Sequence, residues 1–347
     1  MIEGSTDIMS KPVIHQTDLF HPHADPDDHW DLGCVYALCA GGEIDLRGIV
    51  IDYPPNPQYG NPAVCAVAQM SHITGLSVPV SVGSSTPMND APEKRLPRSE
   101  LAAARFILDA LSGADRPAAI HSVGSSRDIA LAGRMDPSVF ERKCLGIYLN
   151  AGTATNDPEL RRNREYNVTL DPKAFKTIFD LPCPVYWLPC FHAILPSSAQ
   201  RFEAGANASV YSFVQREILD DLAPMVKQYF LYMFERSADQ RWLSYLHCPE
   251  NGSTLEHYGR MERRMWCTAG FLHSAGLGVD REGGVFRTGH GASIFDFEPV
   301  TVKCDEEGLT RWEAASQAKD RFILSVADRE SYGRAMTLAM KTLLMRL

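Results

Sequence analysis

The sequence predicts an α/β fold in which a mostly parallel central sheet carries helices on both faces. Short apolar runs alternate along the chain with segments whose apolar residues recur at helical spacing. The runs are continuously apolar, which is typical of strands buried on both faces of a parallel sheet. The predicted strands cover residues 13–17, 46–51, 78–83, 118–124, 145–150, 185–188, 297–302 and 322–326.

Helices are predicted between these strands, at residues 30–40, from Pro62 toward Gly75, at 101–111, from 128, at 172–179 and at the C-terminus. Proline at position 62 suits a first helical turn. From about residue 196 to residue 276, amphipathic stretches rich in aromatics and arginine predict a helical insertion. With no clean linker, we expect a single domain over residues 11–347, preceded by a polar segment, 1–10, that is disordered or a tag.

The composition narrows the classes of function. The formal charge of −9 gives no general attraction for nucleic acid or anionic membranes, and no apolar run approaches the roughly 18–20 residues of a membrane span. The nine cysteines are scattered and form no CxxC pair. Such cysteines fit buried thiols in a reducing compartment better than a disulfide framework, so we expect a cytoplasmic protein.

Polar residues and glycines follow the ends of the predicted strands. They are Asp18, Gly60, Asn61, Gly83, Gly124 and Asn150. Ligands of open parallel sheets bind at the carboxyl ends of the strands. The sequence therefore predicts that these positions surround one crevice.

The loop after the first strand is strongly acidic. Five aspartates, Asp18, Asp25, Asp27, Asp28 and Asp31, are interleaved there with His21, His23 and His29. One interpretation is a solvated turn in which the acids of residues 27 and 28 favour the N-terminus of the next helix. The other is a divalent-metal site, because crowded carboxylates repel one another unless a cation or a proton intervenes. Oxygen ligands suit Ca²⁺ or Mg²⁺, and the histidines leave Zn²⁺ or Mn²⁺ open.

An ordered set of motifs resembles the inosine-uridine nucleoside hydrolase family. The family's first motif, an aspartate followed by a turn and an Asp-Asp pair that opens a helix, is similar to Asp18 with Asp27-Asp28. The other similar segments are Leu46 to Val50 with Gly60-Asn61, Val78 to Gly83, Val123 to Ala132, Glu165-Tyr166-Asn167 with Asp171-Pro172, and Phe297 to Val300. Each motif is weak alone, but they cover nearly the whole chain in the family's order.

The resemblance implies an N-glycoside hydrolase that uses Ca²⁺ and acts on a nucleoside or related riboside. It implies that Asp18, Asp28 and the main-chain carbonyl of Arg127 ligate the metal, and that Asp18 is the general base for a metal-bound water. It further implies that Asp27 contacts the ribose diol or the metal. The residues implied to hold ribose hydroxyls are Asn61, Glu165 and Asn167. A homo-oligomer is also implied, since the family commonly forms dimers or tetramers.

The chain departs from the family pattern in several places. The turn between Asp18 and Asp27 is longer, and residues 89–97 lack the family's His-Gly-containing loop. The family's C-terminal His-Asp pair matches best at His290-Gly291, which keeps a leaving-group histidine but lacks the aspartate. A rival match near Met265-Trp266 lacks both. The arginine in the glycine turn, Arg127, is unusual, and its side chain is a candidate for contact with an anion.

Two other functions therefore stay open. One is a non-catalytic descendant that binds a sugar or nucleoside, which the missing aspartate favours. The other is a hydrolase that uses the extra histidines with a transition metal. The substrate is also open: a ribosyl compound carrying an acidic group and a non-nucleoside sugar are alternatives to a purine or pyrimidine nucleoside.

Overall fold

The computed structural model describes residues 10–23, 26–56, 59–88, 96–196 and 201–347. Its strands, in chain order, are β1 Lys11–Thr17, β2 Phe20–His21, β3 Ile44–Ile51, β4 Asn61–Pro62, β5 Val80–Val82, β6 Ala118–Ser122, β7 Cys144–Asn150, β8 Val185–Leu188, β9 Ala193–Ile194, β10 Phe202–Glu203, β11 Tyr211–Val214, β12 Glu262–Met265, β13 Leu277–Val279, β14 Val285–Arg287, β15 Phe295–Cys304, β16 Thr310–Ala314 and β17 Arg321–Val326.

The helices, in chain order, are α1 Asp27–Ala40, α2 Val64–Thr74, α3 Ala102–Gly113, α4 Arg127–Met135, α5 Pro137–Lys143, α6 Tyr166–Leu170, α7 Pro172–Ile178, α8 Arg216–Leu219, α9 Pro224–Phe234, α10 Gly252–Gly259, α11 Thr268–Ala275 and α12 Arg329–Leu344. None of the helices among the described residues is both long and apolar enough to cross a membrane.

One nine-stranded sheet organises the chain, in the order β16-β15-β17-β8-β7-β6-β1-β3-β5. The strands from β17 to β5 pair in parallel, and β15 and β16 add an antiparallel edge. The prediction of a mostly parallel sheet is therefore confirmed. The predicted strand at 297–302 is the antiparallel β15.

The sheet is covered on both faces, as its continuously apolar strands require. One buried cluster joins a sheet face to α1, α2, α9, α11 and α12. The other joins the opposite face to α3, α4, α5 and α7. The region expected to be a helical insertion holds α8 to α11 together with the short strands β10, β11 and β12.

Helix ends follow local sequence rules. Asp171 caps α7, which begins at Pro172, by accepting a hydrogen bond from Ala174 N at 3.1 Å. Gly75 and Gly276 end α2 and α11 in the left-handed conformation that favours glycine. The helix α1 begins at Asp27, three residues before the predicted start, so that both acids of the Asp27-Asp28 pair lie in its first turn.

Trp30 anchors α1 in the core. It is fully buried, and its ring stacks on Phe230 of α9 at 3.9 Å between centroids and contacts Phe213 of β11 edge-on at 5.3 Å. Because Asp27 and Asp28 lie one turn away on the same helix, this packing also fixes the position of the acidic pair.

We expect Trp30→Ala to lower the free energy of unfolding by about 3–5 kcal/mol, because it leaves a cavity between α1, α9 and β11. Urea denaturation measures the change. Leu243→Ala, at a residue that is 38% exposed, is the control and should shift stability by less than about 0.5 kcal/mol. Equal stabilities of Trp30→Ala and the control would contradict the anchoring role.

Candidate functional site

A pocket of about 500 Å³ opens at the carboxyl ends of the parallel strands. Its lining comes from the segments that follow β1, β6, β7 and β8, from the start of α1, from α6 and its preceding residues, and from β10 and β12. The lining residues are Asp18, Asp27, Asp28, Val123, Asn150, Arg164, Glu165, Tyr166, Asn167, Thr169, Cys190, Phe191, Ile194, Arg201, Phe202, Arg264, Trp266 and Cys267. The pocket therefore lies at the predicted edge of the sheet, and of the six positions predicted to surround it, Asp18 and Asn150 line it.

Carboxylates form the buried end of this pocket. Asp18, directly after β1, is 2% exposed, and Asp28 is 3% exposed. The hydroxyl of Thr17 donates a hydrogen bond to Asp28. The N-terminus of α1, at which Asp27 and Asp28 lie, stabilises negative charge through its free N–H groups. Three of the five acids of the loop, Asp18, Asp27 and Asp28, thus line the same pocket.

Glu165 and Asn167 join the same buried end. The carboxylate of Glu165 accepts hydrogen bonds from Gly152 N and Asn167 N, each at 2.9 Å, and it caps α6. Burial nevertheless raises the pKa of Glu165 above its usual value. The amide of Asn167 donates to the carbonyls of Val123 and Asn150, both at 3.1 Å. It therefore ties the ends of β6 and β7 together at the pocket.

Two buried thiols and one amide complete this end, and the sequence analysis assigned none of them to it as functional groups. Asn150 donates to Leu188 O at 3.0 Å and Ser209 Oγ at 3.1 Å. Its Oδ1 accepts from Cys267 at 3.2 Å and from Cys190 at 3.6 Å. Burial raises the pKa of both thiols well above the usual value, and neighbouring carboxylates raise it further. Both cysteines are therefore protonated donors.

The structure favours the rival match for the family's His-Asp pair. Trp266 and Cys267, between β12 and α11, line the pocket. His290 is an exposed residue between β14 and β15, its N–H bonded to Arg287 O, and it is not among the lining residues. The structure therefore does not bring His290 to the other predicted site residues, and we assign it no catalytic role.

Asn61 also lies apart from the predicted ribose-binding residues. It is exposed, it pairs with His21 across β2 and β4, and it lines a separate cavity of about 400 Å³ with Cys65, Tyr232 and Trp242. The short β2–β4 pairing turns this strand end away from the carboxylates. The position of Asn61 in the sequence, after a predicted strand, does not predict the pairing of β2 with β4.

The guanidinium of Arg127 makes hydrogen bonds to other groups of the protein. It donates to Asp171 at 3.0 Å, to Ser84 O at 2.7 Å and to Leu170 O at 3.3 Å. Arg127 is not among the lining residues of the pocket. The expected contact of its side chain with a ligand anion is therefore wrong, and its carbonyl as a metal ligand stays a prediction.

Asp52 contacts the turn that follows β6, next to Asp18, and the sequence analysis did not identify it. It follows β3 as Asp18 follows β1, and that parallel could have identified it. Its carboxyl group accepts hydrogen bonds from Gln16 and from Ser125 N, and burial raises its pKa to about 8. A Cβ at Gly124 would lie 2.5 Å from Asp52 Oδ2 and 3.0 Å from Asp18 Cβ, so only glycine fits this turn.

The three histidines of the loop contact one another and neighbouring side chains, and they do not line this pocket. His23 Nδ1 lies 3.0 Å from His29 Nε2, and His29 Nδ1 lies 2.9 Å from the hydroxyl of Tyr229. His21 lies 3.5 Å from the Cys65 sulfur. Burial lowers the pKa of His23 to about 3 and that of His29 well below its usual value. None of the three lines the pocket with Asp18, so the pocket gives no support to a transition-metal site built from these histidines.

The chemistry of the donor set fits a hard divalent cation. Asp18, Asp27 and Asp28 all line the pocket, and carboxylate oxygens are the ligands that such a cation prefers. Cys267 directly follows Met265-Trp266, near which the rival match places the family's His-Asp pair, and it lines the pocket. No group of three or more His, Cys, Asp or Glu side chains within the described ranges is already arranged around a metal position. The predicted acid Asp25 lies outside the described residues.

Comparisons with known proteins bear on the family and the fold of the chain. A family model described as inosine-uridine preferring nucleoside hydrolase matches residues 13–251. A purine-preferring ribonucleoside hydrolase from Gardnerella vaginalis has a similar fold, with a TM-score of 0.57 and 14% identity over 96% of this chain and 99% of that one. A plant nucleoside hydrolase gives 0.54 and 14% over 96% and 99%. At these identities the structures support the fold alone.

A curated relative, bacteriophage adsorption protein B of Escherichia coli K12, is 24% identical over 196 residues. The match covers 50% of this chain and 26% of that protein. The chain thus spans about a quarter of the length of this relative, and the relative's activity is not transferred to it.

The raised pKa of Asp52 has a measurable consequence for stability. The folded protein holds this proton up to about pH 8, whereas the unfolded chain releases it near 3.8. Between these values the folded state binds more protons, so rising pH lowers stability through Asp52. We expect Asp52→Asn to reduce this decline, measured by urea denaturation from pH 4 to pH 8. The exposed control Asp109→Asn should leave it unchanged, and an equal decline in Asp52→Asn would contradict the assignment.

Proposed function

This chain belongs to the inosine-uridine preferring nucleoside hydrolase family, and on that premise we propose how its pocket hydrolyses an N-riboside. We infer from the family assignment that the chain is an N-glycosyl hydrolase. The observation that supports the mechanism is that Asp18, Asp27, Asp28, Glu165 and Asn167 all line a single pocket.

Asp18 is the proposed general base. It is nearly fully buried at the end of β1, where the packed sheet fixes its position. A carboxylate at this point can accept a proton from a water molecule that attacks the anomeric carbon of the sugar. The bond from that carbon to the base nitrogen breaks as the carbon takes on oxocarbenium character, which nearby carboxylates stabilise electrostatically.

The sugar is held by the neighbouring polar groups. We assign Asp27 to the ribose diol, with Glu165 and Asn167 as further partners of the sugar hydroxyls. These residues sit on structured positions, at the first turns of α1 and α6, which reduces the entropy cost of orienting the sugar. The aromatic side chains of Phe191 and Trp266 line the same pocket and offer surfaces on which a base can stack.

The proposal includes a divalent cation, with Ca²⁺ as the first candidate. Asp18, Asp28 and the carbonyl of Arg127 would hold it, with Asp27 near it. When bound, such a cation lowers the pKa of a coordinated water. A homo-oligomeric state remains a prediction of the same family assignment.

A binding function without catalysis is the second candidate, and one observation favours it. Trp266 and Cys267 line the pocket, and the rival match places the family's leaving-group histidine and metal-binding aspartate close by, near Met265-Trp266. The loss of both groups would weaken leaving-group activation and cation affinity together. Activity measurements separate this candidate from the hydrolase.

We expect the protein to release reducing sugar from at least one member of a ribonucleoside panel, and we expect a chelator to abolish the release.

Asp18→Asn should lower the rate by about 10²-fold or more, because the amide cannot accept the proton. Asp109→Asn is the matched control on an exposed helix face. Full activity in Asp18→Asn would remove Asp18 as the base. No release from any nucleoside, with nucleoside binding retained, would favour the second candidate.

The neutral thiol of Cys267 should also limit cation affinity. We expect Cys267→Asp to bind Ca²⁺ about tenfold or more tightly than the unmodified protein, since an added carboxylate raises the charge and the number of oxygen ligands. Calorimetric titration with Ca²⁺ measures this without reference to activity. Cys267→Ser adds oxygen without charge and serves as control. Equal affinities in all three proteins would place Cys267 outside the cation's surroundings.

A further inference from the structure

The open end of the pocket is cationic, in contrast to its buried end. Arg164, Arg201 and Arg264 all line the pocket, and all three are exposed. The lining carboxylates of Asp18 and Glu165 are buried. In a chain with a formal charge of −9, three arginines thus meet at the mouth of one pocket.

Each of the three arginines lies on or directly beside a strand or helix. Arg264 belongs to β12, opposite Ser212 of β11, and its guanidinium lies 4.8 Å from the centre of the Phe202 ring. Arg201 directly precedes β10, which contains Phe202. Arg164 directly precedes the α6 cap and bonds Glu307 at the surface, at 3.0 Å. The three side chains therefore approach the mouth from three separate segments.

Neutralisation of Glu165 does not account for the arginines. Burial raises the pKa of Glu165, and the groups that lower it are backbone N–H groups rather than arginines. The neighbouring Arg164 instead pairs with Glu307, a residue whose side chain is 69% exposed. A solvent-exposed ion pair of this kind contributes little to stability, so a ligand anion can displace it at small cost.

We propose that the natural substrate is a phosphorylated N-riboside, with the sugar on the carboxylates and the phosphate at the three arginines. Guanidinium groups bind phosphate through paired, charge-assisted hydrogen bonds, and they keep their charge at every physiological pH. The phosphate must lie at the mouth, since the buried acids would repel it. The proposal rests on the proposed function only in assigning the sugar to the buried end.

Direct binding tests the phosphate site without any reaction. In calorimetric titrations of the full chain, we expect ribose 5-phosphate to bind at least about 100-fold more tightly than ribose, since two or three charge-assisted contacts contribute. Raising the ionic strength should weaken the binding of ribose 5-phosphate and leave that of ribose unchanged.

Substitutions of the arginines test whether they bind the phosphate at the mouth of the pocket. We expect Arg201→Gln and Arg264→Gln each to weaken ribose 5-phosphate binding about tenfold. Arg142→Gln is the matched control: it removes the same charge from an exposed position on α5, away from the pocket lining. Arg264→Lys keeps the charge and should recover part of the affinity. Thermal unfolding of each variant confirms that the fold is retained.

Each outcome decides one of the two proposals. If ribose 5-phosphate binds no more tightly than ribose, or if the mouth variants bind it as Arg142→Gln does, the phosphate site is overturned. If inosine is cleaved with a higher kcat/KM than inosine 5′-monophosphate, the hydrolase stands and the phosphorylated substrate is overturned. If ribose 5-phosphate binds through the arginines while neither compound is cleaved, the phosphate site stands and the hydrolase mechanism fails.

Discussion

Repulsion between buried carboxylates is the constraint on which this structure depends. The parallel sheet ends several strands at one edge, and the chain places Asp18, Asp28 and Glu165 there with almost no exposure to water. Asp28 and Glu165 are stabilised by different local contacts. Asp28 lies at a helix N-terminus and accepts from Thr17, while backbone N–H groups bond Glu165. Behind them, Asp52 avoids charge by keeping a proton. The site is thus electrostatically costly, and a positively charged partner lowers that cost.

Much of the fold could be predicted because its signals are local. Continuous apolar strands, the proline at the start of α7 and the Asp27-Asp28 pair at the start of α1 are all readable within a few residues. The same locality explains the grouping of Asp18, Asp27 and Asp28. Glu165 and Asn167 joined them through the family resemblance, since nothing near them in the sequence indicates which strand end they meet.

The remaining site features depend on tertiary contacts. The sequence predicts Asn61 at a strand end, like Asp18, but Asn61 lies within β4, and the β2–β4 pairing places it at another cavity. Arg127 looked available for an anion, yet the α7 cap Asp171 holds it. Cys267 lies 117 residues from the amide oxygen of Asn150 to which it donates, and no local pattern connects them. Residue type suggests a role, but only the packing decides which neighbours a side chain has.

The thiol and the arginines also have a joint electrostatic effect. At the position of Cys267, an aspartate would add a negative charge beside Asp28 and Asp31, whose carboxylates already raise the thiol's pKa. A neutral thiol keeps the buried end less negative, and the arginines make the mouth positive. Both features lower the free energy of binding a ligand that carries a negative charge at one end. The neutral thiol decreases the repulsion from the buried end of the pocket, and the arginines increase the attraction at its mouth. A pocket with this polarity would admit an anionic riboside in one orientation, sugar first.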